Sequence, residues 1–285
     1  MRLLNFAVGG RRSYGALAAG GVVDLGARLN FGAADLTSVI RAGLIAPVRT
    51  LAQANACDYR LEEVKILSPA GYTRYFCIGV NYPERNEEYK DGSERPRYPS
   101  VFMRTHTSLS AHEEPLVRPR ESEQLDYEGE IVVVIGRGGR RIPEREAFAH
   151  VLGATCGNEG TVRDWLRHAK FNVTQGKNFD RSGSMGPWLV TLDELGPGPL
   201  RVTTRVNGEV RQDDSSERML FPIPFLISYL SSFCTLEPGD VIFSGTPSGA
   251  GARFDPPRYL RAGDVVEVEV SGVGTLRNTV IDDGA

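Results

Sequence analysis

The sequence predicts an α+β fold dominated by a mixed β-sheet that folds into a roll or barrel-like form. Residues 131–135 are five consecutive aliphatic residues, and their length and β-branching are typical of a buried strand. Strand patterns return at 200–206, 241–244 and 265–270, whereas helical periodicity is confined to short stretches. Strands grouped in this way favour an α+β architecture over an alternating α/β one.

The chain is expected to divide into a small N-terminal domain, residues 1–69, and a catalytic domain, residues 70–285. In the first, short strand patterns alternate with Gly-rich turns, and Asp35 is placed to cap a helix that begins directly after it. In the second, Asn207 and Gly208 predict a tight hairpin turn.

Helical and irregular segments separate the strands of the second domain. Pro143 is expected near the start of a helix whose apolar residues are 147–152, and residues 225–233 form a second helical stretch after two prolines. The charged stretch 81–98 has no apolar periodicity, so it predicts a lid that orders over bound substrate.

Composition and charge exclude several classes of function. The 285 residues are 41% hydrophobic and 24% charged, with a net charge of -3, which argues against a nucleic-acid partner. No run approaches the ~20 apolar residues of a membrane-spanning helix, and the N-terminal segment breaks at Gly9, too early for a secretory signal. The four cysteines form no C-x-x-C pair, so we expect reduced thiols and a cytoplasmic protein.

Two glutamates lead into the strand at 131–135. Glu128 and Glu130 project from one face of an extended chain, ~6.8 Å apart along it, and Gly129 between them permits close approach of another group. Buried carboxylates need a compensating positive charge, and Mg²⁺ prefers such oxygen ligands. The pair therefore indicates a divalent-metal site, and the alternative is an exposed strand end with two solvated side chains.

One further carboxylate and three polar residues extend this candidate site. Arg163 lies four residues after Glu159 and would share its face if a helix began at Thr161. A guanidinium there suits a substrate carboxylate, although pairing with a nearby acid for structure alone is equally open. Lys177 follows a glycine and is placed either to stabilise enolate charge or to be solvated. Thr246, in a rigid Gly/Pro turn, offers a hydroxyl to an anionic oxygen.

These segments, taken in order, resemble the fumarylacetoacetate hydrolase family. The likeness spans about residues 75–280. Its motifs are the run from Tyr75 to Tyr82, Tyr127-Glu128-Gly129-Glu130, Arg163-Asp164-Trp165, Gly176-Lys177 with Phe179-Asp180, the run from Gly186 to Thr191, Asn207-Gly208-Glu209 with Gln212, the run from Leu236 to Ile242, and Gly245-Thr246-Pro247. Each motif is weak alone, but the ordered set is specific.

The resemblance implies a mixed β-roll with a small N-terminal domain, an active-site Mg²⁺ or Mn²⁺, and a homodimer. It also implies that the substrates are 2-oxo or 1,3-dicarbonyl acids, commonly ring-cleavage products of aromatic catabolism. The family's metal ligands fall on Glu128, Glu130 and Glu159, and its substrate or charge-stabilising residues fall on Arg163, Lys177 and Thr246.

Three departures from the family pattern bear on mechanism. The third ligand, usually Asp, is Glu159, and the Gln three residues after the arginine is Leu166. In the lid motif G-x-N-Y-x-x-H-x-x-E, Arg85 replaces the catalytic His, while Glu88 is kept. Since the pKa of an arginine exceeds ~12, Arg85 cannot act as a base. We hypothesise that Glu88 is the only lid base and that Arg85 selects diacids.

Other catalytic arrangements find less support in the sequence. His106 and His112 follow the lid and are candidates to replace its His, whereas His150 is expected to be a surface or packing residue. The G-x-S-x-G motif is absent, which disfavours a Ser-His-Asp hydrolase. The glycines at Gly136 and Gly138 lack the third glycine of a dinucleotide-binding loop.

The leading hypothesis for function is metal-dependent hydrolysis of a C–C bond in an acylpyruvate-like acid through a stabilised enolate. An isomerase, tautomerase or decarboxylase of an unsaturated 2-oxo diacid would use the same enolate, so the metal ligands do not distinguish these reactions. A catalytically weakened binding or scaffold protein is the third possibility. Loss of the lid His favours it, and the intact set of three carboxylates opposes it.

Overall fold

The computed structural model describes residues 1–29, 32–83, 96–166, 168 and 172–284. The strands are β1 Arg2–Val8, β2 Arg11–Ala18, β3 Gly21–Asp24, β4 Lys65–Leu67, β5 Tyr75–Gly79, β6 Ser100–Arg104, β7 Leu109–Ser110, β8 Leu116–Arg118, β9 Leu125–Asp126, β10 Gly129–Ile135, β11 Val151–Asn158, β12 Thr161–Val162, β13 Gly183–Thr191, β14 Arg201–Val206, β15 Glu209–Ser215, β16 Val241–Phe243, β17 Val265–Val270 and β18 Gly274–Asp282.

Helices are few and short by comparison. The α-helices are α1 Leu36–Arg41, α2 Ile45–Ala54, α3 Thr174–Lys177, α4 Leu192–Leu195 and α5 Ile223–Phe233. The 3₁₀ helices are Leu61–Glu63, His106–Ser108, Glu144–His150, Arg163–Trp165, Ser216–Arg218 and Gly251–Arg253. No helix in the described part of the chain is long and apolar enough to cross a membrane.

The larger sheet has the strand order β3-β2-β1-β13-β11-β10-β16-β5-β6, with β4 paired to β1 and β7 to β13. Strand β1 joins it through β13, where Leu3 lies opposite Leu189 in an antiparallel ladder. The N-terminal segment therefore contributes strands to the same sheet as the rest of the chain. The division at residue 69 stays a prediction.

A second sheet has the order β15-β14-β17-β18-β8, and β12 and β9 form a separate two-stranded ladder. Parallel pairs, such as β16 with β5 and β18 with β8, occur beside antiparallel ones. The mixed, strand-rich α+β prediction is confirmed. Among the residues described, however, neither sheet closes into a barrel.

Both faces of β10 are covered, which explains its unbroken aliphatic sequence. Val132 and Val134 pack in a core with residues of the N-terminal segment such as Leu36. Ile131 packs instead beside Val268 of the second sheet. The predicted buried strand is confirmed, and it carries the glutamates of the candidate site between two hydrophobic layers.

The sequence signal for the start of α1 was correct, whereas the helix predicted at 147–152 was wrong because distant strands pair there. The side chain of Asp35 caps α1 by accepting the backbone N–H of Ser38 at 2.7 Å. The helix expected at 147–152 is instead a 3₁₀ helix that ends at His150, and Val151 begins β11. Backbone pairing of β11 with both β10 and β13 outweighs its local helical preference.

Candidate active site

Sheet pairing brings the three predicted metal ligands together. Glu130 lies in β10 opposite Gly157 of β11, and Glu159 follows the end of β11. The backbone N–H of Glu159 donates to the carbonyl of Glu128 at 2.7 Å, which aligns the third glutamate with the first two. Carboxylate oxygens from the three side chains lie within 4.8 Å of one another, and all three residues are buried.

Six charged side chains form a continuous line of alternating charge through this cluster, which we call the ion-pair chain. Its members, in order, are Arg104, Glu159, Lys177, Glu128, Arg163 and Asp126. The successive N–O distances are 2.9, 2.6, 2.7, 2.7 and 2.7 Å, and no member's side chain is more than 8% exposed. Burial of these charges is tolerable because each is paired.

Asp126 closes one end of the ion-pair chain. Beyond Arg163, its carboxylate accepts the backbone N–H groups of Tyr127, Gly251 and Ala252 at 2.8 to 2.9 Å. The sequence offers a signal for it, because acids stand at alternate positions 126, 128 and 130. Arg104, at the other end, has no such local signal, since it lies 55 residues from its partner Glu159.

The two cations inside the ion-pair chain, Lys177 and Arg163, are held in their charged forms. Burial lowers the pKa of Lys177, but Glu128 and Glu159 outweigh this effect and the net pKa is raised above its ordinary value. The pKa of Arg163 is raised for the same reason, by Glu128 and Asp126 against burial. Lys177 lies at the end of α3, where a loop was expected, and Arg163 begins a 3₁₀ helix.

Glu130 stands beside the ion-pair chain without being part of it. It is 1% exposed and accepts a hydrogen bond from the backbone N–H of Gly245 at 2.7 Å. No lysine or arginine in the described ranges forms an ion pair with it. Burial, followed by repulsion from Glu159 and Glu128, raises its pKa well above the ordinary value.

This donor set fits a hard divalent cation. Three cationic and four anionic side chains, the ion-pair chain plus Glu130, carry a net charge of -1 when all are ionised. Mg²⁺ and Mn²⁺ prefer carboxylate oxygens as ligands. Here three carboxylates offer oxygens within 4.8 Å of one another, and one of the three, Glu130, has no cationic partner in the described structure. The residues present therefore fit the metal that the family resemblance implies.

Thr246 contacts the backbone of β10. Its hydroxyl donates to the carbonyl of Gly129 at 2.9 Å and accepts from Nε2 of Gln212 at 2.8 Å. Gln212 completes the link, because its Oε1 accepts the backbone N–H of Gly129 at 2.9 Å. Thr246 and Gln212 thus hold the residue that lies between the two glutamates, and Thr246 is buried in that position.

The predicted lid residues Arg85 and Glu88 lie outside the described residues. The start of the lid is described, and there Asn81 is fully buried. Its Nδ2 donates to the carbonyls of Ser244 and Phe221 at 2.7 and 3.1 Å, and its Oδ1 accepts the N–H of Phe221 at 2.7 Å. Asn81 therefore anchors the beginning of the lid to the loop that carries Gly245 and Thr246.

No hydrogen bond or ion pair joins a histidine to the carboxylate cluster in the described residues. Each has another partner: His106 packs on Tyr72, His112 accepts the N–H of Arg277, His150 contacts Arg137, and His168 packs on Trp165. Neither His106 nor His112 touches the carboxylate cluster in the described structure. The expectation that one of them replaces the lid histidine finds no contact to support it.

Residues 74–281 match the model of the fumarylacetoacetate (FAA) hydrolase C-terminal family. An oxaloacetate tautomerase of Bacillus subtilis, YisK, is 42% identical over 228 residues, which are 78% of this chain and 75% of that protein.

Two solved structures share the fold over nearly the whole chain. Fumarylacetoacetate hydrolase from Exiguobacterium antarcticum is 32% identical, with a TM-score of 0.82 and 99% of each chain covered. The 5-carboxymethyl-2-hydroxymuconate delta-isomerase from Mycobacterium smegmatis is 28% identical, with a TM-score of 0.77, covering 99% of this chain and 100% of that one. On the match of its own residues 74–281, the chain belongs to the fumarylacetoacetate hydrolase family.

Proposed function

We propose that the protein is a divalent-metal-dependent enzyme that converts a 2-oxo diacid through an enolate, and that its reaction is keto–enol tautomerisation. The observation that carries the proposal is the buried cluster of Glu128, Glu130 and Glu159, with Lys177 fixed against two of them. Such a cluster combines ligands for a cation with a permanent positive charge. Both are suited to negative charge that develops on a substrate oxygen.

The metal would be held by Glu128, Glu130 and Glu159. When bound there, Mg²⁺ or Mn²⁺ supplies a Lewis acid for the 2-oxo oxygen of the substrate. The residues around the metal position supply fixed charge and orient the substrate. Lys177 keeps its proton and lies at 2.7 and 2.6 Å from Glu128 and Glu159, so its charge is available without reorganisation when an enolate forms.

Charge balance supports an anionic substrate. The seven charged side chains carry a net charge of -1 when ionised, so a divalent ion leaves the site positive. Arg163 is the cation that we assign to the substrate carboxylate, and Arg85 is proposed for the second carboxylate of a diacid. Thr246 is proposed to contact substrate as well, although its hydroxyl also holds Gly129.

Two considerations favour tautomerisation over hydrolysis. Hydrolysis needs a group that activates water, and no histidine in the described ranges touches the carboxylates. Tautomerisation needs one group that removes the proton from C3 and returns it to the 2-oxo oxygen, and Glu88 is proposed for both transfers. The relative that is 42% identical is named an oxaloacetate tautomerase.

Hydrolysis of an acylpyruvate-like acid is the second candidate. It is supported by a solved structure, 32% identical and named a fumarylacetoacetate hydrolase, that covers 99% of this chain. A catalytically weakened scaffold protein is less supported, because it gives no reason to keep Glu130 buried without a cationic side chain. We further propose a cytoplasmic homodimer, which light scattering of the purified chain tests.

The test uses two substrates and two readouts. Freshly dissolved enol oxaloacetate is followed by the loss of its ultraviolet absorbance, with Mg²⁺ or Mn²⁺, and pyruvate is measured in the same samples. We expect faster loss of the enol with no pyruvate beyond the uncatalysed background. Pyruvate release from an acylpyruvate, together with an unchanged rate for the enol, would overturn tautomerisation and establish the hydrolase.

A further inference from the structure

We propose that Arg104 is a positioning residue of the metal site, which fixes the carboxylate of Glu159 in the orientation that a ligand needs. The proposal rests on the proposed function and assigns a role to the residue that begins the ion-pair chain. Arg104 is the last residue of β6, and its side chain is fully buried.

Every N–H group of the Arg104 guanidinium is used. Nη1 donates to Oε1 of Glu159 at 2.9 Å and to the carbonyl of Gly160 at 2.8 Å. Nε donates to the hydroxyl of Ser108 at 3.0 Å, and Nη2 donates to its carbonyl at 3.2 Å and to the hydroxyl of Ser182 at 2.9 Å. The guanidinium is planar and rigid, so four neutral contacts determine where the one charged contact points.

Glu159 depends on this contact for its orientation. Oε2 of Glu159 accepts a hydrogen bond from Lys177, whose ammonium also bonds Glu128. Because the lysine side chain is flexible, Lys177 alone would not fix the orientation of the Glu159 carboxylate. Oε1 is bonded by Arg104, which no other carboxylate in the described structure shares. The two cations together fix both oxygens of Glu159.

The surrounding backbone leaves space for the guanidinium. A Cβ atom added at Gly183 would come within 2.9 Å of Nη2 and 3.2 Å of Cζ of Arg104. Gly183 is the first residue of β13, next to Ser182 that accepts from the same nitrogen. The position of Arg104 is therefore built by four segments: the end of β6, the 3₁₀ helix His106–Ser108, Gly160 after β11, and the start of β13.

Positioning and simple electrostatics predict opposite results when Arg104 is removed. Loss of a buried positive charge near three carboxylates makes the site more negative, so by charge alone a cation should bind more tightly. If Arg104 orients Glu159, its loss should weaken cation binding, because groups that orient a metal ligand commonly contribute 10- to 100-fold in affinity.

The experiment measures Mn²⁺ affinity of the purified full-length chain from the electron paramagnetic resonance signal of free Mn²⁺. We expect Arg104→Met to bind Mn²⁺ at least ~10-fold more weakly than wild type. Arg74→Met is the matched control: Arg74 also pairs with a buried carboxylate, Asp240, but outside the cluster. That variant should be less stable and bind Mn²⁺ as wild type does.

Affinity that is unchanged or higher in Arg104→Met overturns the proposal. If that variant does not fold, Arg104→Lys replaces it: the charge stays, the fork of donors is lost, and we expect several-fold weaker binding. Wild-type affinity in Arg104→Lys would then overturn the proposal. A wild type that binds no Mn²⁺ removes the proposed function as well. If the wild type binds Mn²⁺ but does not catalyse tautomerisation, only the proposed reaction is overturned.

Discussion

Two groups of buried carboxylates in this molecule are paired with cationic side chains, but the numbers of charges in the two groups differ. Asp240, just before β16, is bonded by Nε of Arg74 at 2.9 Å, and the backbone N–H of Glu237 donates to it at 2.7 Å. One buried carboxylate thus meets one guanidinium, which also lies 3.9 Å from the exposed carboxylate of Glu237, and the Arg74–Asp240 pair joins the beginnings of two parallel neighbours, β5 and β16. In the candidate site, by contrast, four carboxylates meet three cations.

The two systems differ in charge balance. Both systems contain a buried, hydrogen-bonded carboxylate, although the side chain of Arg74 is 35% exposed, so a buried and paired carboxylate by itself identifies neither. The Arg74–Asp240 pair is balanced in charge, whereas the ion-pair chain has Glu130 beside it with a raised pKa and no cation of its own in the described structure. An unbalanced buried charge is expensive and marks a functional-site candidate.

The largest effect should come from Glu130→Gln. Mg²⁺ or Mn²⁺ should raise the melting temperature of wild type by mass action, and this shift should disappear in the variant together with turnover. In the metal-free state the variant should be more stable than wild type, because a buried carboxylate near two others is replaced by a neutral amide. Thermal melts with EDTA and with added metal measure both effects.

The matched control for this variant is Asp240→Asn. It should lower the melting temperature, because Arg74 loses its charged partner, and it should retain the full metal-dependent shift. If Asp240→Asn loses the shift, or Glu130→Gln keeps it, the distinction between the two carboxylate systems is wrong.

The next largest effect concerns Glu88, the proposed lid base. Glu88→Gln should lower kcat by roughly 10²- to 10⁴-fold, the usual contribution of a general base, while Mn²⁺ affinity stays at the wild-type value. Steady-state kinetics on the enol and a metal titration give the two quantities. Turnover that survives in Glu88→Gln would assign proton transfer to a group other than Glu88.

A smaller loss is expected from the two cations of the ion-pair chain. Arg163→Ala should lower kcat/KM by roughly 10²-fold, as one charge-assisted contact of about 2–3 kcal/mol is lost. Lys177→Ala should lower kcat more than it raises KM, since enolate charge is present only after proton removal. If kcat/KM is unchanged in both variants, neither residue acts on the substrate carboxylate or the enolate.

The sequence predicted the elements whose signals are local. The aliphatic run of β10, the Asp35 cap and the alternating glutamates at 128 and 130 each depend on neighbouring residues. What it missed depends on pairing between distant segments: β11 is a strand because it lies between β10 and β13, although its beginning resembles a helix. The sequence also did not predict Arg104 as part of the site, since nothing near it in sequence indicates Glu159 as its partner.

The smallest effect, and the one specific to this chain, concerns Arg85. The family pattern has a histidine at this position, which can carry a proton near neutral pH, whereas an arginine stays charged. In the proposed role of Arg85, a permanent cation would favour a second carboxylate on the substrate, so Arg85→Ala should lower kcat/KM about 10-fold for a diacid and little for a matched monoacid. Arg85→His should retain turnover and accept monoacids more readily. The ratio of kcat/KM for one diacid and one monoacid, measured in wild type and both variants, is the deciding quantity. A diacid preference that survives the loss of Arg85 would contradict the assignment of Arg85 to the second carboxylate, since Arg163 is assigned to the carboxylate that both substrates share.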